Sequence, residues 1–242
     1  NTSKGAAVRA LRAQVDKIRY SQTMKRSMEM QENLFIQSGI VKAIETEKGS
    51  VKGVITNFGL RYSARSVIVA SGTFLGGKIF IGPHEFPAGR LGEFPSTELT
   101  GSLRSIGFEV RRFKTGTPAR IAGRSIDFAE MERQGTSETP LCFSHFSEPY
   151  VLEDDHPCWL TRTNKETHDI IKRDLHFSPL YGDLKLIDSR GPRYCPSIED
   201  KVIKFSSKDS HQLFVEPESA YSNEYYLNGL STSLPYETQL EM

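Results

Sequence analysis

Apolar residues recur along this chain at two spacings, and the switches between them mark out its elements. Val8, Leu11, Val15 and Ile18 stand at helical intervals, and Met24 and Met28 continue the stripe. That pattern predicts a helix over roughly 8–30 with its basic residues mostly on the other face. Short β-type runs follow around 34–44, 51–57, 60–64 and 66–70, with Lys48-Gly49-Ser50 as a turn signal between the first two. The run Ser66–Ala70 is apolar throughout, as in a strand covered on both faces, and it stops at Ser71-Gly72-Thr73. A helix, a β-meander and a buried strand ending in glycine make an α/β arrangement.

The second half is more broken. Glycine-rich loops come first: Gly76-Gly77, Gly82-Pro83 and Ala88-Gly89-Arg90-Leu91-Gly92. Ser96 is placed to cap a helix with Leu99, Leu103 and Ile106 inward, closed by Gly107. Phe108 to Lys114 reads as a strand ending at the turn Thr115-Gly116-Thr117-Pro118. Residues 123–160 are polar and irregular, an excursion carrying Glu148, Glu153, Asp154 and Asp155. Thr163-x-x-Glu166 has the form of a capping box before a helix with Ile170, Ile171 and Leu175. Ser197 is a second cap, for a short helix to Phe205, and Gln212–Val215 is strand-like.

Composition narrows the class. With 242 residues, 37% hydrophobic and 25% charged, the chain can bury a core and has no disordered or fibrous bias. No apolar run approaches the roughly 18–20 residues of a membrane span, and no signal-peptide pattern opens the sequence. It begins Asn1-Thr2-Ser3 and runs straight into a structured pattern, so both ends read as cuts through a longer protein. Cys142, Cys158 and Cys195 are an odd, sparse set, which points to a reducing compartment and to the cytoplasm by default. The formal net charge of +1 hides an asymmetry: residues 1–26 hold seven basic groups against one acid, Asp16. Such a segment suits phosphates of a cofactor or RNA, and equally a solvated helix face.

Three features could carry chemistry. At the junction Val67-Ile68-Val69-Ala70-Ser71-Gly72-Thr73-Phe74 small residues let backbone approach a bulky ligand, as at the carboxyl ends of open α/β sheets. The dinucleotide fingerprint G-x-G-x-x-G is absent, so a pyrophosphate loop would lie upstream of residue 1. The second feature is Gly191-Pro192-Arg193-Tyr194-Cys195-Pro196-Ser197-Ile198-Glu199-Asp200-Lys201. There a thiol stands between Arg193 and a helix start, surroundings that favour a reactive thiolate or bind an anion. A structural cysteine in a proline-rich loop is the plainer reading. Third, Cys142, His145, His156 and Cys158 offer zinc-competent atoms, but the His-x-Cys half is poor spacing and packing explains it better, so no metal is expected. His168 reads as a surface or packing residue and Trp159 as core. Thr115-Gly116-Thr117 beside Arg120 reads as a structural turn before a phosphate site.

The order of motifs is more specific than any one of them. Asn1-Thr2-Ser3-Lys4-Gly5-Ala6-Ala7-Val8-Arg9-Ala10 resembles the N-x-S-K-G-P-A-V-x-A segment of the MnmG/GidA family. Then follow Gly72-Thr73-Phe74-Leu75-x-Gly77-Lys78-Ile79, Ala88-Gly89-Arg90-x-Gly92 and Lys114-Thr115-Gly116-Thr117-Pro118-x-Arg120. Ile126-Asp127-Phe128, Thr163-Asn164-x-x-Thr167-His168, Gly191–Lys201, Phe214-x-Glu216-Pro217-Glu218 and Asn228-Gly229-x-Ser231-Thr232-Ser233-Leu234-Pro235 complete the series. All stand in family order and span essentially the whole chain. Ala6 and Ala119 replace prolines common in the family.

The resemblance implies part of a glutathione-reductase-like FAD-binding α/β fold with an inserted α+β domain. Residues 1–75 would belong to the FAD-binding domain, 76–205 to an inserted, NAD-binding-type domain, and 206–242 to the return. It further implies a homodimer that pairs with the GTPase MnmE. With FAD, NADH and methylene-tetrahydrofolate as one-carbon donor, the complex would build the aminomethyl or carboxymethylaminomethyl group at C5 of tRNA uridine 34. By the same resemblance Val41 and Ser96 contact FAD, as Gly72 and Thr73 would at the junction. The stretch from Gly191 through Lys201 to Val202, Ile203, Lys204 and Phe205 matches the NAD-binding segment. Cys195 matches a cysteine acting as nucleophile on the uracil ring or as general acid/base. This internal piece lacks the upstream glycine-rich loop and the MnmE-binding helical domain, so by itself it is expected to be inactive. Two other readings stand beside this one: a related folate- and FAD-dependent tRNA uridine methyltransferase, and a non-catalytic RNA- or partner-binding module.

Overall fold

The computed structural model describes residues 5–8, 11–151, 156–183, 185–187 and 196–242. In chain order the elements are α1 (Lys17–Glu29), β1 (Val41–Glu47), β2 (Ser50–Thr56), β3 (Arg61–Ser63), β4 (Lys78–Ile81), β5 (His84–Pro87) and α2 (Glu98–Ser105). Then come β6 (Arg120–Ala122), β7 (Glu132–Gln134), β8 (Cys158–Arg162), α3 (Lys165–Arg173), α4 (Ile198–Lys204), β9 (Gln212–Pro217), β10 (Glu224–Asn228) and α5 (Tyr236–Glu241). The chain folds as two units built from alternating segments. One takes Asn1–Leu34, Thr117–Asp169 and Ser197–Thr232; the other takes Phe35–Gly116, Ile170–Pro196 and Ser233–Met242. Among the described residues no helix is long and apolar enough to cross a membrane.

The first unit is built on an antiparallel sheet of order β6-β10-β9-β8-β7. Central β9 pairs Val215 with both Trp159 of β8 and Leu227 of β10, and buries Leu213 and Val215 on one side of its pleat. Phe128, on a short 3-10 turn, packs its ring 5.0 Å from Trp159 and 5.3 Å from Tyr225, both tilted pairs. Trp159 is therefore half-buried in an aromatic cluster. The excursion expected over 123–160 is only partly irregular, because β7 and β8 add two strands to this sheet.

Among the carboxylates buried in this unit, Glu216 and Glu218 are met by cations from distant segments. Arg12 meets Glu216 at 3.1 Å, and Lys17 and Arg120 meet Glu218 at 2.7 and 3.1 Å. Asp16 adds to the attachment. It accepts the Arg19 N–H at 2.8 Å to cap α1, and it also accepts the Ser219 hydroxyl and the Ala220 N–H. Those bonds, that of Arg19 foremost, hold its carboxyl down at about 2. The helix expected over 8–30 accordingly begins only at Lys17, where the cap stands. Its apolar stripe is a second correction: no residue of α1 is buried, and Ile18, Met24 and Met28 are exposed.

The second unit holds the meander β1-β2-β3 and the hairpin β4-β5, both antiparallel. Helix α2 buries Leu99 and Leu103, as their spacing predicts. It is fastened to β1 by two serines: Ser96 donates its hydroxyl to the Val41 carbonyl, and Ser102 Oγ accepts the Ile44 N–H at 2.9 Å. Ser96 thus stands one residue before the cap, Thr97, and does not cap the helix as expected. Two expected strands are also absent as ladders. Residues 66–70 and 108–114 join no strand among the described residues, and Ile68 is 92% and Phe113 80% exposed. An apolar run encodes a demand for burial, but a strand also needs a neighbour to bond its backbone.

The capping box expected at Thr163 is replaced by another cap. Asn164 Oδ1 accepts the Thr167 N–H at 2.8 Å, while the Thr163 hydroxyl turns to histidines. At the far end of α3, Arg173 grips Asp174 through two 2.7 Å bonds and reaches Glu241 of α5 at 2.8 Å. Thr238 donates its hydroxyl to the same Asp174 at 2.7 Å. The guanidinium first, then Thr238, holds the Asp174 carboxyl at about 2 against an ordinary 3.8. A carboxylate lowered in the folded state contributes stability above its unfolded value, and that contribution disappears as pH falls through the folded one. Acid unfolding followed by far-UV circular dichroism should thus draw on Asp174 between about pH 4 and pH 2. Thr238→Val should move the acid midpoint to higher pH; an unmoved midpoint would show that the network contributes nothing.

Candidate functional site

The second unit contains a cleft of about 310 Å³, within the usual range for small-molecule sites. Three stretches line it. Gly39, Ile40, Val41, Ile44 and Val54 come from the meander and its approach, Val67–Ser71 and Phe74 from the glycine junction, and Phe94, Ser96 and Leu99 from the start of α2. The walls are apolar, with small residues at Gly39, Ala70 and Ser71. One hydroxyl, that of Ser96, is fixed by its bond to the Val41 carbonyl. Val41 and Ser96, 55 positions apart in sequence, therefore share one wall. Residues 67–70 line the cleft and pair with no strand among the described residues.

Gly72 and Thr73 support this cleft without lining it. They form the 3-10 turn Gly72–Phe74, where Gly72 takes φ 54° and the Thr73 hydroxyl donates to the Gly89 carbonyl at 2.8 Å. The turn is stitched to the approach to α2: Ser96 N–H donates to the Phe74 carbonyl at 2.8 Å, and Gly76 N–H to the Ser96 carbonyl at 3.0 Å. Gly77 is a point of close approach. A β-carbon there would stand 2.4 Å from the Thr73 carbonyl oxygen and 2.5 Å from that of Ala88.

Of the other candidate, residues 197–205 lie in the first unit. Gly191, Pro192, Arg193, Tyr194 and Cys195 fall outside the described residues, and Pro196 is the first of the motif on view. Ser197 caps α4 in a reciprocal box with Asp200, as its position predicts. Much of the helix faces inward. Ile198 and Val202 are core, Glu199 accepts the Thr232 hydroxyl at 3.0 Å, and Asp200 binds Lys204 at 2.8 Å. Lys201 donates to the Gly229 carbonyl at 2.7 Å, and burial pushes its ammonium below the ordinary lysine range. Ile203, Lys204 and Phe205 form the exposed side, with the Lys208 ammonium 5.6 Å above the Phe205 ring.

Other candidates resolve into structure. Arg120 bonds the Thr117 hydroxyl at 2.7 Å, the Pro118 carbonyl and Glu218, and lies 4.6 Å over the Tyr226 ring, so the turn before it is structural. Cys142 and Cys158 are free thiols, and burial pushes that of Cys158 up. Among the described residues no three His, Cys, Asp or Glu side chains converge as a metal would need. His168 is buried against Thr163 and His211, a cluster that no sequence signal marked, since its members are 43 residues or more apart except where α3 begins.

Antiparallel sheets, short helices and an apolar cleft edged by glycine turns define a mixed α/β protein. Residues 1–242 match the family described as Glucose inhibited division protein A, and the chain belongs to that family. Two crystal forms of Aquifex aeolicus GidA share its fold. One matches at TM-score 0.90 and 48% identity over all of this chain and 41% of that one; the other at 0.88 and 44%, over all of this chain and 38% of that one. The tRNA uridine 5-carboxymethylaminomethyl modification enzyme MnmG of Heliobacterium modesticaldum is 49% identical over 100% of this chain. That of Thermodesulfovibrio yellowstonii is 50% identical over 99%. The chain spans 38% of the length of these curated relatives. The α/β fold that the motifs imply is thus that of GidA.

Substitution at two glycines tests the packing that shapes the cleft. Gly77→Ala should cost about 1–3 kcal/mol, because two carbonyls must move. Gly101→Ala, on α2 with nothing within 4 Å of the added carbon, should instead stabilise by about 0.5–1 kcal/mol. Urea denaturation of both variants checks the contrast; equal midpoints would contradict it.

Proposed function

We propose that this chain is part of an FAD-dependent enzyme that modifies the wobble uridine, position 34, of tRNA at C5. The observation that carries this reading is identity of 49–50% to MnmG enzymes sustained over 99–100% of the chain, with the motif order unbroken. The finer parts of the proposal are an aminomethyl or carboxymethylaminomethyl product, NADH as reductant and methylene-tetrahydrofolate as one-carbon donor. The enzyme works as a homodimer with the GTPase MnmE in the cytoplasm, and the present chain by itself is inactive.

The cleft suits part of a flavin dinucleotide. Its small residues leave backbone in reach of a ring system, and its apolar walls exclude water. Val41 and Ser96 would hold the cofactor there, with Gly72 and Thr73 setting the turn behind it. Bound FAD supplies the hydride and one-carbon chemistry. The residues Gly191–Phe205 would bind NADH, with exposed Ile203, Lys204 and Phe205 on the accessible side of α4. Cys195 would act on the uracil ring, as nucleophile or as proton donor and acceptor.

The test uses the full-length protein. Cys195→Ser should abolish uridine 34 modification, seen by mass spectrometry of tRNA nucleosides, while the visible flavin band stays at wild-type strength. Unchanged modification in that variant removes Cys195 from the reaction. A colourless wild-type protein removes the flavin, and with it the proposal.

A further inference from the structure

A strip of positive charge lies open in the second unit, on the last turn of α2 and the segment after it. Residues 104–114 read Arg104-Ser105-Ile106-Gly107-Phe108-Glu109-Val110-Arg111-Arg112-Phe113-Lys114, four cations against one acid. Arg104, Arg111 and Arg112 are exposed, and two aromatic rings stand among them, Phe108 at 61% and Phe113 at 80% exposure. The start of the strip is fixed. Gly107 N–H donates to the Arg104 carbonyl and Phe108 N–H to the Leu103 carbonyl, both at 3.0 Å. Farther on, Arg112 donates to the Gly76 carbonyl at 3.2 Å, which ties the strip to the turn behind the cleft.

These cations differ from those of residues 1–26. There Arg12 and Lys17 are committed to buried glutamates, and Lys25 faces Glu29 at 3.6 Å. In the strip Arg104 makes no ion pair among the described residues. Arg111 meets Glu109 at 2.7 Å, with the two side chains 77% and 74% exposed. An exposed pair of that kind contributes little to stability, so a phosphate can take the guanidinium from the carboxylate at small cost.

Guanidinium groups in a row suit a ligand with many phosphates, and an exposed ring between them suits an unpaired base. A single-stranded loop of RNA offers both at once, because its bases are free to stack on aromatic faces. An acidic peptide would use the charge without needing a ring face. We propose that residues 104–114 are a tRNA-binding strip. Arg104 and Arg111 meet backbone phosphates of an unpaired loop, Arg112 sets the strip against the Gly76 turn, and Phe113 stacks on a base. The identity of the RNA rests on the tRNA substrate proposed above.

The test uses the full-length protein and an unmodified tRNA transcript with uridine at position 34. Arg104→Gln combined with Arg111→Gln should weaken tRNA binding about ten-fold at about 100 mM salt. The slope of log K against log salt should fall by about one to two, since each lost phosphate contact removes about 0.7–0.9 from it. Phe113→Leu keeps an apolar side chain but loses the π face, and should weaken binding about five-fold or more. Phe113→Tyr should stay within about two-fold of wild type. The visible flavin band of every variant should match wild type, which separates a lost contact from a lost fold. Should the double variant not fold, Arg104→Gln and Arg111→Gln taken singly carry the same slope test. An unchanged slope in the arginine variants, or equal affinities in Phe113→Leu and Phe113→Tyr, overturns the proposal. Wild-type binding that no variant alters ends this inference alone, whereas a wild type that binds no tRNA ends the assigned substrate with it.

Discussion

Glu216 and Glu218 carry negative charge into a part of the protein where water is largely excluded, and the first unit is arranged to answer them. A buried carboxylate without a partner is strongly destabilising, because nothing replaces its hydration. The partners come from far along the chain: Arg12 and Lys17 from near its start, Arg120 from β6. Asn228 adds a 3.0 Å bond to Glu216. Each of the three ion pairs ties the β9 end to a segment some 100 or 200 residues away. The strong positive bias of residues 1–26 is thus, in part, an internal counter-charge. A cofactor phosphate or RNA is not needed to explain Arg12 or Lys17, and the free remainder of that charge is correspondingly smaller.

The cleft follows another logic, in which backbone replaces side chains. Gly76, Gly77, Gly82 and Gly89 crowd the turns behind it, and at Gly77 two carbonyls occupy the space a side chain would need. Such turns hold Phe74 and Ser71 at one edge, while Ser96, just before α2, and Ser102 within it hold Val41 and Ile44 at the other. The wall between, residues 67–70, is apolar but bonded to no strand among the described residues. A segment with that much exposed apolar surface calls for a cover, and an aromatic ring system of a ligand or further protein would serve.

Local signals were legible in the sequence where local physics decides. The Ser197 cap and the inward Leu99 and Leu103 depend on residues three or four apart and are found as the sequence predicts, while Ile106, expected inward with them, is half-buried. Signals that depend on distant partners misled. Thr163 has the right neighbours for a cap, but His168 and His211 claim its hydroxyl, and Asn164 caps in its place. The stripe of α1 obeys helical spacing although no core lies beneath it, and 66–70 and 108–114 have strand composition without a ladder. The shared wall of Val41 and Ser96 could be expected only through family resemblance, since no periodicity connects positions so far apart. The buried carboxylates of Phe214-x-Glu216-Pro217-Glu218 were visible as a motif and invisible as a constraint, because sequence does not state what a charge will face.

These features bear together on α4. A seven-residue helix gains little from its own hydrogen bonds, so its geometry is borrowed from neighbours, and the neighbours are polar as well as apolar. Ile198 and Val202 fix its depth, but an apolar contact is non-directional and leaves rotation about the axis weakly set. Directional bonds supply what packing cannot: Thr232 to Glu199 and Lys201 to Gly229. Both act on the inward side. The outward side, Ile203, Lys204 and Phe205, is exposed, and among the described residues it carries the Asp200–Lys204 pair and the Lys208 ammonium over the Phe205 ring.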